Sequence, residues 1–180
     1  MDMIEEVFAG QCNQKKLEEI ETLRVCAWQP ILSPTDAKSR FKLDATDRIA
    51  WHFCLRDTAH DQFIACSRLS AHSTFDLLPD PESYQRFAET MNFPLAIMSR
   101  LAVLPRFRGR GYATRLDNLR IEMATRLAIK EVWIEVRAGR IAYLEESQFK
   151  VMGNSADDSV PGNWFMMRRQ LEDGTVDSRW

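Results

Sequence analysis

A chain of 180 residues with 45% apolar and 28% charged side chains is long enough to bury its own core, and it reads as a single domain over 1–180. Its net charge of -2 excludes a general pull toward nucleic acid or an anionic membrane, so any basic site must be local. No apolar run approaches the roughly 20 residues that span a bilayer. The acidic start MDMIEEVF lacks a secretory pattern, and Cys12, Cys26, Cys54 and Cys66 form no CxxC pair; the expected compartment is the reducing cytoplasm.

Met3 to Ala9 reads as a short first strand. From Asn13 to Trp28, Leu17, Ile20, Leu23 and Ala27 recur every three or four residues, which predicts an amphipathic helix with Asn13 as its N-cap. Pro30 and Ser33-Pro34 end it. The segment Ile31 to Asp47 reads as a loop with a short helix near Asp36 to Phe41, and Asp44 and Asp47 read as turn residues that could also face an acceptor's amine. IAWHFCLR (Ile49 to Arg56) and QFIACSRLS (Gln62 to Ser70) predict two strands joined at hairpin length. His72 to Pro81 is loop, and Pro81 to Thr90 a short helix with proline at its tolerant first turn.

Leu95 to Leu104 is an apolar run of buried-strand length, closed by Pro105. RFRGRG comes next, and then a helix whose expected apolar stripe is Tyr112, Ala113, Leu116, Leu119, Met123, Ala124 and Leu127, with Ile121 off it. EVWIEVR (Glu131 to Arg137) alternates as a strand. Strand, helix and strand at this length make a βαβ-like unit with parallel neighbours. Ile141 to Gln148 is a short helix. Phe149 to Met152 and Asn163 to Gln170 are the last strands, joined by a polar loop from Asn154 to Gly162.

A glycine-bearing turn between a strand and a helix start suits a phosphate. The first helical N–H groups are unpaired and the dipole end is positive. Gly109 and Gly111 let a ligand approach the backbone, and Arg106, Arg108 and Arg110 add charge. A P-loop would need GxxxxGK and a hydroxyl residue, which this turn lacks. A dinucleotide turn would need a third glycine where Thr114 stands, and the unit falls late in the chain. Nucleic acid is a poorer match than one compact polyphosphate, since the cluster is three arginines in one turn of a mildly acidic chain.

Arg106-Phe107-Arg108-Gly109-Arg110-Gly111 has the form Q/R-x-x-G-x-G/A and resembles the acetyl-CoA signature of the GNAT N-acetyltransferase superfamily. The resemblance is specific from about Ile97 to Val136. It implies an α/β fold with a central mixed, mostly antiparallel six- to seven-stranded sheet, flanked by helices and split at a parallel, splayed central pair. It implies acetyl-CoA or another acyl-CoA as co-substrate, with no metal. The pyrophosphate would lie on N–H groups from Phe107 through Tyr112 and Ala113 to Thr114, near Arg106, Arg108 and Arg110. The main chain of Leu101, Ala102 and Val103 would pair with the pantetheine arm like an added strand. Many members place a tyrosine acid where this chain has Leu144, with Tyr143 one residue away. Members often carry Asn where this chain has Arg137.

Direct acyl transfer to an amine needs a polarised thioester carbonyl, a base and an acid for the thiolate. The candidate bases are Glu135, on the central strand, and His52, between Trp51 and Phe53; the candidate acid is Tyr143. Each also has a plain structural reading: a salt bridge, a hydrogen-bonded core histidine, a packed aromatic. His52, Cys54 and Cys66 could sketch a metal site but lack a fourth ligand, and inert buried thiols fit better. The expected function is N-acetyl transfer to a primary amine of a small molecule or protein. Two alternatives stay open: a long-chain N-acyl transferase of the N-acyl amino acid or autoinducer synthase kind, fed by acyl-CoA or acyl carrier protein, and a CoA-binding protein without catalysis. No nucleic-acid partner and no membrane span are expected. A homodimer is allowed, and acceptor choice would rest on Ile31 to Asp47, His72 to Glu82 and Asn154 to Gly162.

Overall fold

The computed structural model describes residues 2–155 and 163–171, and seven strands and five α-helices fall within them. The strands are β1 (Met3–Ala9), β2 (Trp51–Asp57), β3 (Gln62–His72), β4 (Leu95–Val103), β5 (Glu131–Arg137), β6 (Lys150–Asn154) and β7 (Trp164–Gln170). The helices are α1 (Gln14–Trp28), α2 (Pro34–Arg40), α3 (Ala45–Ile49), α4 (Tyr112–Arg126) and α5 (Ile141–Glu146). The strands form one sheet in the order β1-β2-β3-β4-β5-β7-β6. Pairing is antiparallel at β1–β2, β2–β3, β5–β7 and β6–β7, and parallel at β4–β5. A parallel pair cannot be closed by a tight turn, and α4 supplies the crossover. The parallel ladder runs from Leu95↔Glu131 to Met98↔Ile134, while the two strands continue to Val103 and Arg137. This is the mixed, mostly antiparallel α/β sheet that the sequence predicts.

By its internal contacts the chain divides into two units, each drawn from two stretches of sequence. The first is Met1–Ser70 with Ser99–Arg120. Its core gathers Phe8, Leu17, Ile20, Leu23, Ala27, Cys54, Phe63, Cys66 and Ala102, so the apolar stripe of α1 packs on β1 to β3 as its spacing requires. The second is Ala71–Met98 with Ile121–Trp180. There Trp133 is wholly buried among Leu78, Tyr84, Phe87, Leu95, Ile97 and Met166. Glu131, also wholly buried, accepts from Trp133 Nε1 at 2.6 Å and from the Asn92 backbone at 2.9 Å. A carboxylate at that depth needs such donors, and it pins the residues ahead of β4 to the first residue of β5.

Three local differences from the sequence reading have clear causes. Ile49 closes a helix instead of opening a strand, because Asp44 and Asp47 form a reciprocal capping box that starts α3. Asp44 Oδ1 accepts from Asp47 N at 2.8 Å, and Asp47 Oδ2 accepts from Asp44 N at 3.1 Å. Asn13 stands at the N-cap position of α1, yet its side chain reaches back to donate to Ala9 O at 3.2 Å. The buried stripe of α4 is Leu116, Asp117, Arg120, Ile121 and Ala124, with Ile121 inside and Leu127 39% exposed. The charged pair Asp117–Arg120 lies within the stripe, bonded to itself, so a count of apolar residues alone turns the helix too far.

Candidate functional site

The predicted phosphate turn lies in the first unit, between the end of β4 and the start of α4. Leu104 to Arg108 fold into a tight 3-10 turn in which Phe107 N donates to Leu104 O at 2.8 Å and Arg108 N to Pro105 O at 3.2 Å. The Phe107 ring is buried and anchors the turn, with the guanidinium of Arg106 over it at 4.7 Å. Gly109 and Gly111 then take φ of +73° and +78°, a region that L side chains rarely adopt. No atom stands within 4 Å of where a Cβ would sit at either glycine, so the face of the turn is open. α4 begins at Tyr112, and its first N–H groups, Tyr112 to Thr114, have no intrahelical acceptor. Arg115 N closes the first helical bond on Gly111 O at 3.0 Å. The turn therefore offers a narrower set of donors than the sequence suggests: Phe107 and Arg108 spend their N–H groups inside it.

The three arginines also divide. Arg108 is a strut, with Nε donating to Val103 O at 3.2 Å and Nη2 to Ala27 O at 2.5 Å. It ties the turn to the end of β4 and the last turn of α1, and it occupies the Val103 carbonyl. Arg106 and Arg110 both lie over the Phe107 ring, Arg110 at 5.6 Å.

A buried network of charge, absent from the sequence reading as a unit, stands behind β4. Asp47 is wholly buried; its Oδ1 accepts from Arg24 Nη1 at 3.0 Å and lies 3.1 Å from Arg68 Nη1. Asp44 accepts from Arg68 Nη1 at 2.7 Å and from Arg100 Nη2 at 2.8 Å. Burial would raise the Asp44 carboxyl, but Arg68 and Arg100 hold it well below the usual carboxylate range. Burial, followed by repulsion from Arg68, lowers Arg100. Arg24 keeps Nε and Nη2 buried with no hydrogen-bond partner. The signals were present: Arg24 stands on the apolar stripe of α1, and Arg68 faces His52 across the β2–β3 ladder.

His52 belongs to this network. Its ring is wholly buried, stacked on Phe8 at 5.3 Å, with Nε2 donating to the Asp47 carbonyl at 2.8 Å and Nδ1 unpartnered. Burial pushes its pKa down to about 4, so the ring is neutral near pH 7. Cys54 and Cys66 are direct cross-strand partners, both buried as free thiols, and burial raises both. Among the described residues no group of three His, Cys, Asp or Glu could hold a metal ion.

The other two sequence candidates lie in the second unit. Glu135 stands on β5 opposite Met166 and accepts from Ser155 Oγ. Tyr143, on α5, has a buried hydroxyl without a hydrogen-bond partner and a ring beneath Arg140 at 5.9 Å. Leu144 is wholly buried, while Arg137 lies over the Trp164 ring at 5.2 Å. Most of the Asn154 to Gly162 loop falls outside the described residues.

A sheet with one parallel pair, crossed by a helix that starts on an open glycine turn, is the arrangement that the resemblance to the GNAT fold implies. Residues 29–117 match the family model of the acetyltransferase (GNAT) domain, and the chain belongs to the GNAT superfamily. No curated protein sequence matches the chain. Among solved structures it is similar to an acyl-CoA N-acyltransferase from Pseudomonas aeruginosa, with 17% identity, 93% of this chain and 99% of that one covered, and a TM-score of 0.67. It is similar to FeeM, an N-acyl amino acid synthase from uncultured soil microbes, with 12% identity, 94% and 92% coverage and a TM-score of 0.63. The ribosomal-protein-S18-alanine N-acetyltransferase from Escherichia coli aligns with 12% identity, 98% and 100% coverage and a TM-score of 0.60. At these identities the likeness is one of fold. No helix among the described residues is long and apolar enough to cross a membrane.

Proposed function

We propose that the chain transfers an acyl group, acetyl in the simplest case, from acyl-CoA to a primary amine by direct attack in a ternary complex. The observation that carries this is the pair Gly109 and Gly111. Both are left-handed, both are open where a side chain would stand, and they lead into the first turn of α4, whose N–H groups have no intrahelical acceptor. Such a turn suits the pyrophosphate of CoA. Leu101 and Ala102 supply main-chain pairing for the pantetheine arm, and a β4 N–H polarises the thioester carbonyl. Val103 contributes less, since its carbonyl already accepts from Arg108.

For the base we propose Glu135, and for the acid that meets the leaving thiolate, Tyr143, whose hydroxyl has a proton to give and no acceptor holding it. His52 serves indirectly, by fixing Asp47 through its carbonyl. The acceptor is a small-molecule or protein amine.

One observation favours a second reading, in which the acceptor is itself anionic, as in N-acyl amino acid synthesis from a longer acyl donor. The network sets three guanidiniums, Arg24, Arg68 and Arg100, against two carboxylates, Asp44 and Asp47. Arg100 is the arginine of the three with appreciable exposure, 21% of its side chain, and an acceptor's carboxylate there would balance the excess.

The test is calorimetric titration with CoA, acetyl-CoA and a long-chain acyl-CoA, followed by thiol release on adding amines with and without a carboxylate. Turnover with acetyl-CoA and simple amines supports the first reading. Turnover confined to long-chain donors and amino acids supports the second. Tight CoA binding without turnover on any amine makes the chain a CoA-binding protein, and no CoA binding removes the proposal. If Glu135 is the base, Glu135→Gln abolishes the acidic limb of the pH–rate profile; an unchanged limb excludes it.

A further inference from the structure

β4 carries one residue that its sequence does not prepare for. Arg100 takes φ +55°, left-handed, in the interior of the strand. A side chain disfavours that region, and a residue stays there when its surroundings over-determine it. The surroundings are visible. Arg100 Nη1 donates to Arg40 O at 2.7 Å, Nη2 to Asp44 Oδ2 at 2.8 Å, and the guanidinium lies 5.8 Å from the Phe41 ring centre. The preceding residue is held as well, since Ser99 Oγ accepts from Arg68 Nε at 3.0 Å. Arg68 in turn binds the other oxygen of Asp44 at 2.7 Å. Both residues of the kink are thus clasped by arginines that converge on one carboxylate, itself fixed as the cap of α3.

A left-handed residue within a strand breaks the ladder and re-aims the backbone beyond it. In β4 the re-aimed backbone is Leu101–Val103. We infer that Asp44 is a positioning residue for acyl transfer, holding through Arg100 the left-handed kink from which Leu101–Val103 leave β4. This rests on the acyl-transfer reading above. In this role Asp44 acts through Arg100, keeping a conformation that the strand would otherwise abandon.

The experiment compares Arg100→Ala, Arg100→Gly, Asp44→Asn and the double variant Asp44→Asn with Arg100→Gly. Glycine adopts the kink without a clasp and alanine does not. Arg100→Gly should therefore retain about tenfold more kcat than Arg100→Ala. Asp44→Asn keeps a competent helix cap and loses the charge, so it should lower kcat about tenfold while the Kd for acyl-CoA stays within about twofold. On the Arg100→Gly background the same substitution should cost less than about threefold, the non-additivity expected of one shared element. Equal kcat for the glycine and alanine variants, or additive effects in the double variant, would overturn the inference. Amide hydrogen exchange at Leu101–Val103 separates this from failure of the acyl-transfer reading. Faster exchange in Asp44→Asn, reversed in the double variant, supports the clasp even if wild type acylates no amine. Unchanged exchange counts against it whatever the activity.

Discussion

Apart from Asp61 in the β2–β3 connection, the first unit takes the left-handed backbone conformation on the phosphate turn and within β4, and maintains it there by opposite means. At Gly109 and Gly111 the conformation is free, because no Cβ opposes it, and nothing stands near. At Arg100 it is costly, and a capped helix, a cross-strand arginine and a backbone carbonyl share in holding it. The first device is local and open, suited to admit a ligand. The second is distributed over several side chains, from half-buried Asp44 and Arg100 to buried Arg68, and is suited to keep a shape. The contrast teaches that φ alone does not tell a hinge from a brace; the contacts around the residue do.

Substitutions should separate the two devices by what they damage. The largest effect is expected for Asp47→Ala. It strips the wholly buried Arg24 of its carboxylate partner and should lower unfolding free energy by about 3–5 kcal/mol, read by denaturant titration. A loss below about 1 kcal/mol would mean that the network does not brace the unit. His52 gives a pH signature of the same brace. Its folded pKa of about 4 lies below the ordinary value near 6.5, so between those values the unfolded chain takes up a proton that the folded chain refuses. Stability should fall as pH drops through that window, by up to about 3 kcal/mol, and His52→Gln should flatten the slope there. The paired carboxylate Asp44 acts lower, below its unfolded value, so the two slopes are separable.

The turn should respond in binding and hardly in stability. Gly109→Val, at φ +73°, should weaken acyl-CoA binding by at least about 100-fold, while the far-UV spectrum and midpoint move little. Undiminished affinity in this variant sinks the assignment of the turn. The smallest effect is expected for Arg108→Met, which removes the side-chain strut of the turn and should cost about 1–2 kcal/mol of stability. A value near zero would make the turn wholly backbone-determined, and the comparison sharper.

The same contrast explains what could be read in the sequence. The glycine turn was legible because its spacing, its flanking strand and the start of its helix are consecutive in the chain, and each carries a local signal. The parallel pair came from the strand–helix–strand spacing, and the mostly antiparallel sheet from the resemblance to the GNAT family. The brace went unread as a unit because Arg24, Asp44, Asp47, Arg68 and Arg100 meet only after several elements fold; Arg24, on the apolar stripe of α1, carries a local sign of burial but names no partner. α3 was missed for a related reason: its capping box uses aspartate at both ends, which reads as a turn. Glu135 and Tyr143 stood out by residue type and not by spacing.

The buried face of α4 bears on any effort to alter this protein. A helical wheel would nominate Arg120 as a surface position open to change and protect Leu127 as core. Arg120 is wholly buried and donates to the carbonyls of Arg68 and Ser99 at 3.3 and 3.4 Å. A lysine there has no planar fork to hold those carbonyls with one nitrogen and the Asp117 carboxylate with another. A mutational library or a solubility redesign of this helix should begin at Leu127 and leave Arg120 untouched.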